Sequence, residues 1–478
     1  MIDFQQSRSI HVIGVAGSVM GGIACLLKEQ GHEVRGSDRD CYPPMSDRLS
    51  NAGVEVILGF SEENITKEPP ELVLVGNITR RTNPEAVAMR RLGLPHLSLP
   101  ELLSDMFLSQ RRSITVAGTH GKTTTTSMLV WLLKQADLDP GYMIGGVPIG
   151  FESGLSAGSG PHFVLEADEY DTAYFDKRPK FVHYRPRIGI LTSVEFDHAD
   201  IYSDFDAVRR AFRTYSALFN PKDQLWVHGS DEEARAAASY GPARICLYGI
   251  EGDAEQLDAY ATDVELASRT EPSRFRFVYE GRDLGMFELT QPGRHNVWNA
   301  VAALSIAVSE GADVEALRAA LPGFPGVRRR QELQGEPRGI RVLQDYAHHP
   351  TAVRETIAAI RTQFPDRRLW ALFEAESNTS RRRLFQKTYV DSFEGADEVI
   401  FVRPLEKDDG LPVEERLDAD QLAADLRENG VNARFIPDAD TILGVLAAEV
   451  RSGDVVLFMS GRNFLGLPVR LVERLEEE

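Results

Sequence analysis

Short apolar runs recur along the chain, each followed by a stretch of helical period. Ile10 to Ile13 reads as a buried strand that enters a glycine-rich turn and then an apolar helix through Leu27. Glu33 to Asp38, Val54 to Ile57 and Leu72 to Val75 continue the series. Strands alternating with helices predict a parallel α/β sheet. A second series begins at Ile114 to Ala117 and continues through the helical run Met128 to Leu133 and the strands Phe163 to Leu165 and Ile188 to Leu191. Between about 220 and 290 the pattern becomes turn-rich, with short strands such as Arg274 to Val278, and predicts an antiparallel insertion. A long helix covers Ala300 to Val308. Leu321 to Gly326, with two prolines and two glycines, reads as a linker, as does the polar run Ser109 to Ser113. Arg341 to Asp345, Leu369 to Phe373, Glu398 to Val402 and Asp454 to Met459 predict a second doubly wound sheet. The expected segments are 1–108, 109–325 and 326–478.

The length of 478 residues matches about three domains. A hydrophobic share of 42% and a charged share of 26% are ordinary for a soluble globular protein. The formal charge of −19 disfavours generic nucleic-acid binding. Cys25, Cys41 and Cys246 are too few and too scattered for a disulfide framework or a zinc site. No stretch has the build of a signal peptide or reaches membrane length, so a cytoplasmic enzyme is expected.

Chemistry concentrates at strand ends. Ser113 to Ala117 runs into Gly118-Thr-His-Gly-Lys-Thr-Thr-Thr-Thr126, a strand, a glycine-bounded loop and a helix start. Gly118 and Gly121 let backbone N–H groups approach phosphates, Lys122 reaches the outer ones, and the Thr123 hydroxyl is a Mg²⁺ ligand. The helix N-terminus adds favourable partial charge. Val116 stands where the full G-x-x-x-x-G-K-T pattern has glycine. The strand Phe163 to Leu165 ends in Glu166-Ala-Asp-Glu-Tyr-Asp171, and Glu166 is the acid expected to hold Mg²⁺. Ile188 to Leu191 leads to Glu195-Phe-Asp-His198, where His198 is either a ligand of a second Mg²⁺ or a turn histidine. In the first segment Gly14, Gly17 and Gly21 form a Gly-x-x-Gly-x-x-x-Gly turn beside Met20, with Asp38 at the next strand end. That spacing departs from the dinucleotide fingerprint, yet its backbone donors serve any diphosphate. Asn77 follows Gly76 at the end of the Leu72 to Val75 strand, where open sheets bind ligands. His295, Asn296 and Asn299 open a helix, as caps or as an adenine-reading edge. His348 and His349 lie at a strand–helix corner.

Taken in order, Ala117-Gly-Thr-His-Gly-Lys-Thr-Thr-Thr125, Glu166-Ala-Asp-Glu169, Phe196-Asp-His198, Gly293-Arg-His-Asn296 and Asp345-Tyr-Ala-His-His-Pro350 resemble the motifs of the Mur ligases over essentially the whole chain. The shortened loop with Val116 is itself a mark of that family. The resemblance implies a three-domain α/β architecture: a Rossmann-like N-terminal domain for a UDP-sugar, a central P-loop ATPase domain, and a Rossmann-like C-terminal domain bearing the amine substrate. It implies ATP and Mg²⁺, and a substrate carboxylate that becomes an acyl phosphate before an amine attacks it. By motif position, Gly118, Thr119, His120, Gly121, Lys122, Thr123 and Thr124 would hold the ATP phosphates, and Asn296 and Asn299 the adenine. Asp345 would hold the ribose and Arg330 the phosphates. Thr123, Glu166 and His198 would bind metal, and Lys122, His198, His348 and His349 would serve the reacting groups. Gly14, Gly17, Met20, Gly21, Asp38 and Asn77 would hold the UDP moiety. Tyr42-Pro-Pro-Met-Ser46, Phe181-Val-His-Tyr-Arg-Pro186 and Ser377-Asn378-Thr379 resemble the branch that joins UDP-N-acetylmuramate to a recycled murein tripeptide. That branch implies an amine-substrate role for Ser377, Asn378 and Thr379, and a monomer or weak homodimer. The sibling branch adds L-alanine to the same UDP-sugar.

Two features depart from family patterns. Val208 to Tyr215 offers no lysine, whereas some relatives carry a carbamylated one there. Ala375-Glu376 precedes Ser377-Asn-Thr379 where the family usually has Pro-Arg. If that arginine meets a phosphate or carboxylate, Glu376 reverses the local charge and alters amine preference or catalysis.

Overall fold

The computed structural model describes residues 4, 6–146, 148–407 and 410–477. The chain forms two compact units, the first of residues 1–195, 206–259 and 302–317, the second of residues 196–205, 260–301 and 318–478. Among the described residues no helix is long and apolar enough to cross a membrane.

The first unit opens with β1 (Ser9–Ile13), β2 (Glu33–Asp38), β3 (Glu55–Leu58), β4 (Leu72–Val75) and β5 (His96–Ser98), in the order β3-β2-β1-β4-β5. All four pairings are parallel. The order reverses between β1 and β4, which puts the Gly14 turn and Gly76-Asn77 at the switch point.

The same unit holds β6 (Arg112–Ala117), β7 (Gly141–Met143), β8 (Leu155–Ser156) and β9 (His162–Glu166), then the small hairpin β10 (Asp171–Ala173) and β11 (Asp176–Pro179). β12 (Ile188–Leu191), β13 (Gln224–His228) and β14 (Arg244–Ile250) complete a sheet ordered β14-β13-β12-β6-β9-β7-β8. Its strands are parallel apart from β8. β13 and β14 correct the expected antiparallel insertion. They extend the parallel sheet, with the helix Glu232–Ala238 supplying the crossover that parallel neighbours need. β15 (Ala259–Glu265), β16 (Ser273–Tyr279) and β17 (Arg282–Leu289) follow, and β16 and β17 pair antiparallel. The expected linker at 109–113 is also shorter than read: β6 starts at Arg112, and Ser113 is buried with its hydroxyl donating to Tyr184 O at 2.8 Å.

In the second unit β18 (Glu332–Gly335), β19 (Arg341–Asp345), β20 (Leu369–Phe373), β21 (Glu398–Phe401), β22 (Asn432–Phe435) and β23 (Val455–Met459) are ordered β18-β19-β23-β20-β21-β22. Only β18 runs antiparallel. Period two decides the packing. Leu343, Ala371, Phe373, Val399, Leu457 and Met459 enter one core, while Val342, Trp370, Leu372, Ile400, Val456 and Phe458 enter the other. Both faces are therefore covered, and each large buried side chain contributes about 1.5–3 kcal/mol.

Candidate active site

β6 carries the chain to Gly118, where φ is +130° and an added Cβ would sit 2.1 Å from Thr192 Oγ1. Gly121 closes the turn at φ +81° and begins the helix Lys122–Gln135. Only glycine adopts this backbone without strain. The end of β12 clamps the loop: the N–H groups of Thr119 and His120 donate to Ser193 O and Oγ at 2.9 and 3.0 Å. Thr119 Oγ1 accepts from Glu195 N at 2.9 Å, and His120 Nε2 lies 3.5 Å from Glu195 Oε2. No side chain caps the helix start, the arrangement that receives an anion.

Lys122 Nζ donates to Gly118 O at 2.6 Å and lies 3.1 Å from Glu169 Oε2. Burial works against the ammonium, but Glu169, Asp168 and Glu166 together raise its pKa. Thr123 hydrogen-bonds Glu166, whose Oε2 also accepts from Gly145 N. Glu166 is 4% exposed and its Oε1 is buried without a hydrogen-bond partner. Burial, with Asp168 next to it, raises the Glu166 pKa. A buried carboxylate oxygen without a donor, beside a hydroxyl and a second acid, fits a hard divalent cation.

The glycine turn of β1 is held from β2. Ser37 O accepts from Gly14 N and Val15 N at 2.8 and 3.1 Å, and Asp38 Oδ2 accepts from Ala16 N at 2.8 Å. Asp38 therefore braces the turn, a task that sequence reading did not assign to it. The helix Ser18–Glu29 follows Gly17 with no side-chain cap. Met20 packs towards Gly76, and Asn77 is exposed. Behind Ser37 lies a buried network. Glu85 Oε2 accepts from Ser37 Oγ at 2.5 Å and lies 3.3 Å from His11 Nε2, while its Oε1 accepts from Asn64 Nδ2 at 2.6 Å. Burial opposes ionisation of Glu85, but bonds from His11, Ser37 and Asn64 outweigh it and lower the pKa.

In the second unit Asp197 is the hub. It is 5% exposed, with His198 Nδ1 at 4.0 Å and His348 Nε2 at 3.9 Å. Burial opposes its charge, yet His198, His348, His349 and the Thr379 hydroxyl hold the carboxyl far below the usual range. His198 takes a left-handed φ of +57°, and its N–H donates to Asp197 Oδ1 at 2.7 Å. His348 Nδ1 faces Tyr346 O at 2.9 Å, so the proton sits on Nδ1 and the Nε2 lone pair faces Asp197. Burial lowers the His348 pKa, with Asp197 opposing. His349 has the opposite tautomer, because its Nδ1 accepts from Thr351 N at 3.4 Å while Nε2 donates to Phe196 O at 3.2 Å. It caps a helix and holds the Phe196 segment. Thr379 Oγ1 accepts from Ala199 N at 3.0 Å.

A second group surrounds Asp345, whose oxygens accept from Ala347 N and Gln331 N at 2.7 and 2.8 Å. Burial raises its pKa, and Arg330 partly offsets this. Arg330 stacks on Tyr346 with 4.7 Å to the ring centroid. Burial and Arg330 push His295 down to about 4. Asn296 Nδ2 donates to Pro292 O at 2.8 Å, and its Oδ1 accepts from Asn299 at 3.2 Å, so this pair braces the helix start. Asn378 Oδ1 accepts from Lys407 at 2.9 Å, and the Ser377 hydroxyl pairs with Ser380 at 2.9 Å. Glu376 Oε2 lies 3.0 Å from Arg462 Nε.

The structure thus gathers Lys122, Thr123 and Glu166 with the Gly118–Thr124 loop, and His198, His348, His349 and Thr379 about Asp197. Arg330 and Asp345 adjoin this centre through Tyr346, whose ring lies 5.1 Å from that of His348, and Ser377 and Asn378 make their own bonds. Sequence reading missed the roles of Glu169, Asp197, Glu85 and Arg462. Glu169 and Asp197 lie inside quoted motifs that gave them no task, and Glu85 and Arg462 show only an acid at a helix start and an arginine after a strand.

A glycine loop at an uncapped helix start, an oxygen-donor set that fits a divalent cation and a buried imidazole–carboxylate centre are groups that activation of a carboxylate for amide formation can use. The chain is an ATP-dependent, ADP-forming ligase that makes a C–N bond. Residues 9–111 match the catalytic domain of the Mur ligase family, 116–307 the Mur ligase middle domain, and 329–462 the Mur ligase glutamate ligase domain. The chain belongs to the Mur ligase family and has its three-domain α/β fold. It is 36% identical to the UDP-N-acetylmuramate–L-alanyl-γ-D-glutamyl-meso-2,6-diaminoheptandioate ligase of Escherichia coli, covering 98% of both chains. It is 36% identical to a UDP-N-acetylmuramate–L-alanine ligase of Paenarthrobacter aurescens over 98% of this chain and 97% of that one. A crystal structure of a murein peptide ligase from Psychrobacter arcticus superposes with a TM-score of 0.70 at 32% identity, covering 99% of both chains.

Proposed function

We propose that this ligase joins UDP-N-acetylmuramate to the tripeptide L-alanyl-γ-D-glutamyl-meso-diaminopimelate, in the cytoplasm, in peptidoglycan recycling. The observation that carries the ATP half is the Lys122–Thr123–Glu166 set at an uncapped helix start, with one Glu166 oxygen buried and unpartnered. The tripeptide half is supported by full-length similarity to the Escherichia coli relative and to a Haemophilus influenzae ligase of the same kind, 32% identical over 98% of this chain. Residues 1–108 are assigned to the UDP-sugar, 109–325 to ATP and 326–478 to the amine substrate, in keeping with the three matched regions.

In this reading the Gly118–Thr124 loop and Lys122 hold the ATP phosphates. Thr123 and Glu166 would hold one Mg²⁺ and His198 a second, and the cations would offset the charge of the two polyanions that react. Gly14, Gly17, Met20, Gly21 and Asn77 hold the UDP moiety, with Asp38 and Ser37 fixing the turn. Arg330, Asp345, Asn296 and Asn299 serve the nucleotide. The muramate carboxylate attacks the γ-phosphate, ADP leaves, and an acyl phosphate results. The alanyl amine then attacks the acyl carbon, and phosphate leaves as the tetrahedral intermediate collapses. The attacking amine must shed a proton, and the His348 Nε2 lone pair suits that task. Asp197 stabilises the imidazolium so formed, and His349 keeps Phe196 and its neighbours in place.

Incubation with ATP, Mg²⁺, UDP-N-acetylmuramate and tripeptide should release phosphate and yield the heavier UDP-product by mass spectrometry. Absence of product with tripeptide, tetrapeptide and L-alanine would overturn the proposal. The Paenarthrobacter aurescens relative supports L-alanine addition as the second reading, and faster turnover with L-alanine than with tripeptide would favour it. Glu376 raises a third reading, a catalytically impaired nucleotide-binding protein, and the Arg462 guanidinium beside it removes the bare charge reversal behind that reading.

A further inference from the structure

β19, β23 and β20 lie side by side and parallel, so their carboxyl ends bring Asp345, Ser460-Gly461-Arg462 and Glu374-Ala375-Glu376 to one edge. In an open α/β sheet this edge receives ligands. The Glu376–Arg462 pair at that edge is asymmetric. The Glu376 side chain is 10% exposed, whereas that of Arg462 is 57% exposed. Gly461 makes the pair possible, because a Cβ there would lie 2.1 Å from Glu376 Oε1. The backbone beneath the guanidinium is anchored. Arg462 N donates to Ser460 Oγ at 3.0 Å, and Arg462 O accepts from Gln344 Nε2 at 3.4 Å. Ser460 Oγ donates in turn to Glu374 Oε2 at 2.7 Å. The nearest approach of Glu376 to Arg462 is at Nε, 3.0 Å, and a guanidinium on so exposed a side chain has donors to offer another carboxylate.

A buried anion beside an exposed cation is complementary to a zwitterion. Resting on the tripeptide reading above, we propose that Glu376 and Arg462 form the receptor for the distal amino-acid end of the diaminopimelate residue. The terminal nitrogens of Arg462 take its carboxylate, and Glu376 takes its ammonium. L-Alanine has no such second end, and a lysine-ending tripeptide has the ammonium without the carboxylate. Position 376 is thereby a specificity determinant. An arginine there would read negative charge alone, whereas Glu376 with Arg462 reads both charges at once.

The test measures phosphate release by the full chain at saturating ATP, Mg²⁺ and UDP-N-acetylmuramate. Three peptides are titrated, L-alanyl-γ-D-glutamyl followed by meso-diaminopimelate, by L-lysine, or by 2-aminoheptanedioate, which keeps the distal carboxylate and lacks the ammonium. For the wild-type chain each truncated end should raise KM about tenfold or more. Arg462→Ala should raise KM about tenfold for the two peptides with a distal carboxylate and spare the lysine peptide. Glu376→Gln should raise it for the two peptides with a distal ammonium and spare the aminoheptanedioate peptide. In every case KM should move more than kcat. Thermal unfolding establishes that each variant is folded, and the near-isosteric Glu376→Gln decides the matter if Arg462→Ala is not. Variants that rank the three peptides as the wild type does would overturn the receptor while leaving the ligase reading intact. No turnover of any of the three by the wild-type chain would overturn both.

Discussion

Replacing Lys122 by alanine removes the ammonium that lies 3.1 Å from Glu169 Oε2 and 2.6 Å from Gly118 O. Glu169 is only 2% exposed, so the variant must keep a carboxylate charge out of water without that cation. Removing one partner of a buried pair costs about 3–5 kcal/mol. The Lys122 side chain is 12% exposed, so the low end, about 3 kcal/mol, applies. For a folding unit of this size that is about 6–12 °C in the unfolding transition. Adding Glu169→Ala removes the carboxylate that has lost this cation and should return most of the loss, because deleting both partners of such a pair is close to neutral. Catalysis should not return. Turnover should fall at least about 10³-fold in both the single and the double variant, since nothing then reaches the outer phosphates. Affinity for UDP-N-acetylmuramate should be unchanged, because the Gly14 turn is held from Ser37 and Asp38. Calorimetry of the ligand-free protein, phosphate release and UDP-sugar titration check the three statements. A Lys122→Ala protein that melts with the wild type, or a double variant no more stable than the single, would refute the buried-pair argument. Near-normal turnover would refute the phosphate-loop assignment.

Glu166→Gln keeps the shape of the side chain but removes charge from the unpartnered oxygen, and should raise the Mg²⁺ concentration for half-maximal turnover at least about tenfold. An unchanged midpoint in a Mg²⁺ titration would show that Glu166 is no ligand. Glu85→Ala should cost about 3 kcal/mol and raise KM for UDP-N-acetylmuramate while sparing KM for ATP, because Glu85 anchors Ser37, which holds the Gly14 turn. Equal movement of both KM values would contradict this. His348→Gln should lower kcat at least about 10²-fold. Burial lowers the His348 pKa, so the acid limb of the wild-type kcat profile should fall below the ordinary histidine value of about 6.5. His295 has a folded pKa of about 4 against about 6.5 unfolded, so the unfolded chain binds the extra proton between those values. Stability should be intact above about pH 6.5 and fall as pH drops through about 4, by at most about 3 kcal/mol. Denaturation of His295→Gln at pH 7 and pH 4.5 should show that share of the acid loss gone.

Most of the fold is legible because a parallel strand covered on both faces is a continuous apolar run. Leu72–Val75, Ile188–Leu191 and Val455–Met459 have every residue buried. β14 escaped for the opposite reason. Arg244 and Ile245 are exposed at its start, and its crossover helix Glu232–Ala238 is short and alanine-rich, so the stretch reads as turns. The glycine loops are legible because φ values such as +130° at Gly118 and +81° at Gly121 select one residue type. Single acids within acidic runs are not. Glu166 to Asp171 and Glu195 to Asp200 each hold several carboxylates, and strand-end geometry alone buries Glu169 and Asp197 among them. Glu85 looks like an ordinary first-turn helix acid, yet its helix turns it inwards against His11.

Position 376 shows how far a local reading of charge can be from the local charge. Along the chain, glutamate where relatives have arginine is a reversal, and reversal at a site for anionic substrates predicts lost binding. In the folded chain β20 and β23 are neighbours, so the turn after each strand meets the other and Arg462 stands against Glu376. The guanidinium at this edge comes from the end of another strand and offsets the Glu376 charge. A neutral pair repels no carboxylate, and it can bind an ammonium that a lone arginine would reject. The substitution that first counted against catalysis is thereby a reason to expect a narrower choice of amine, tested by peptides that differ in one distal charge.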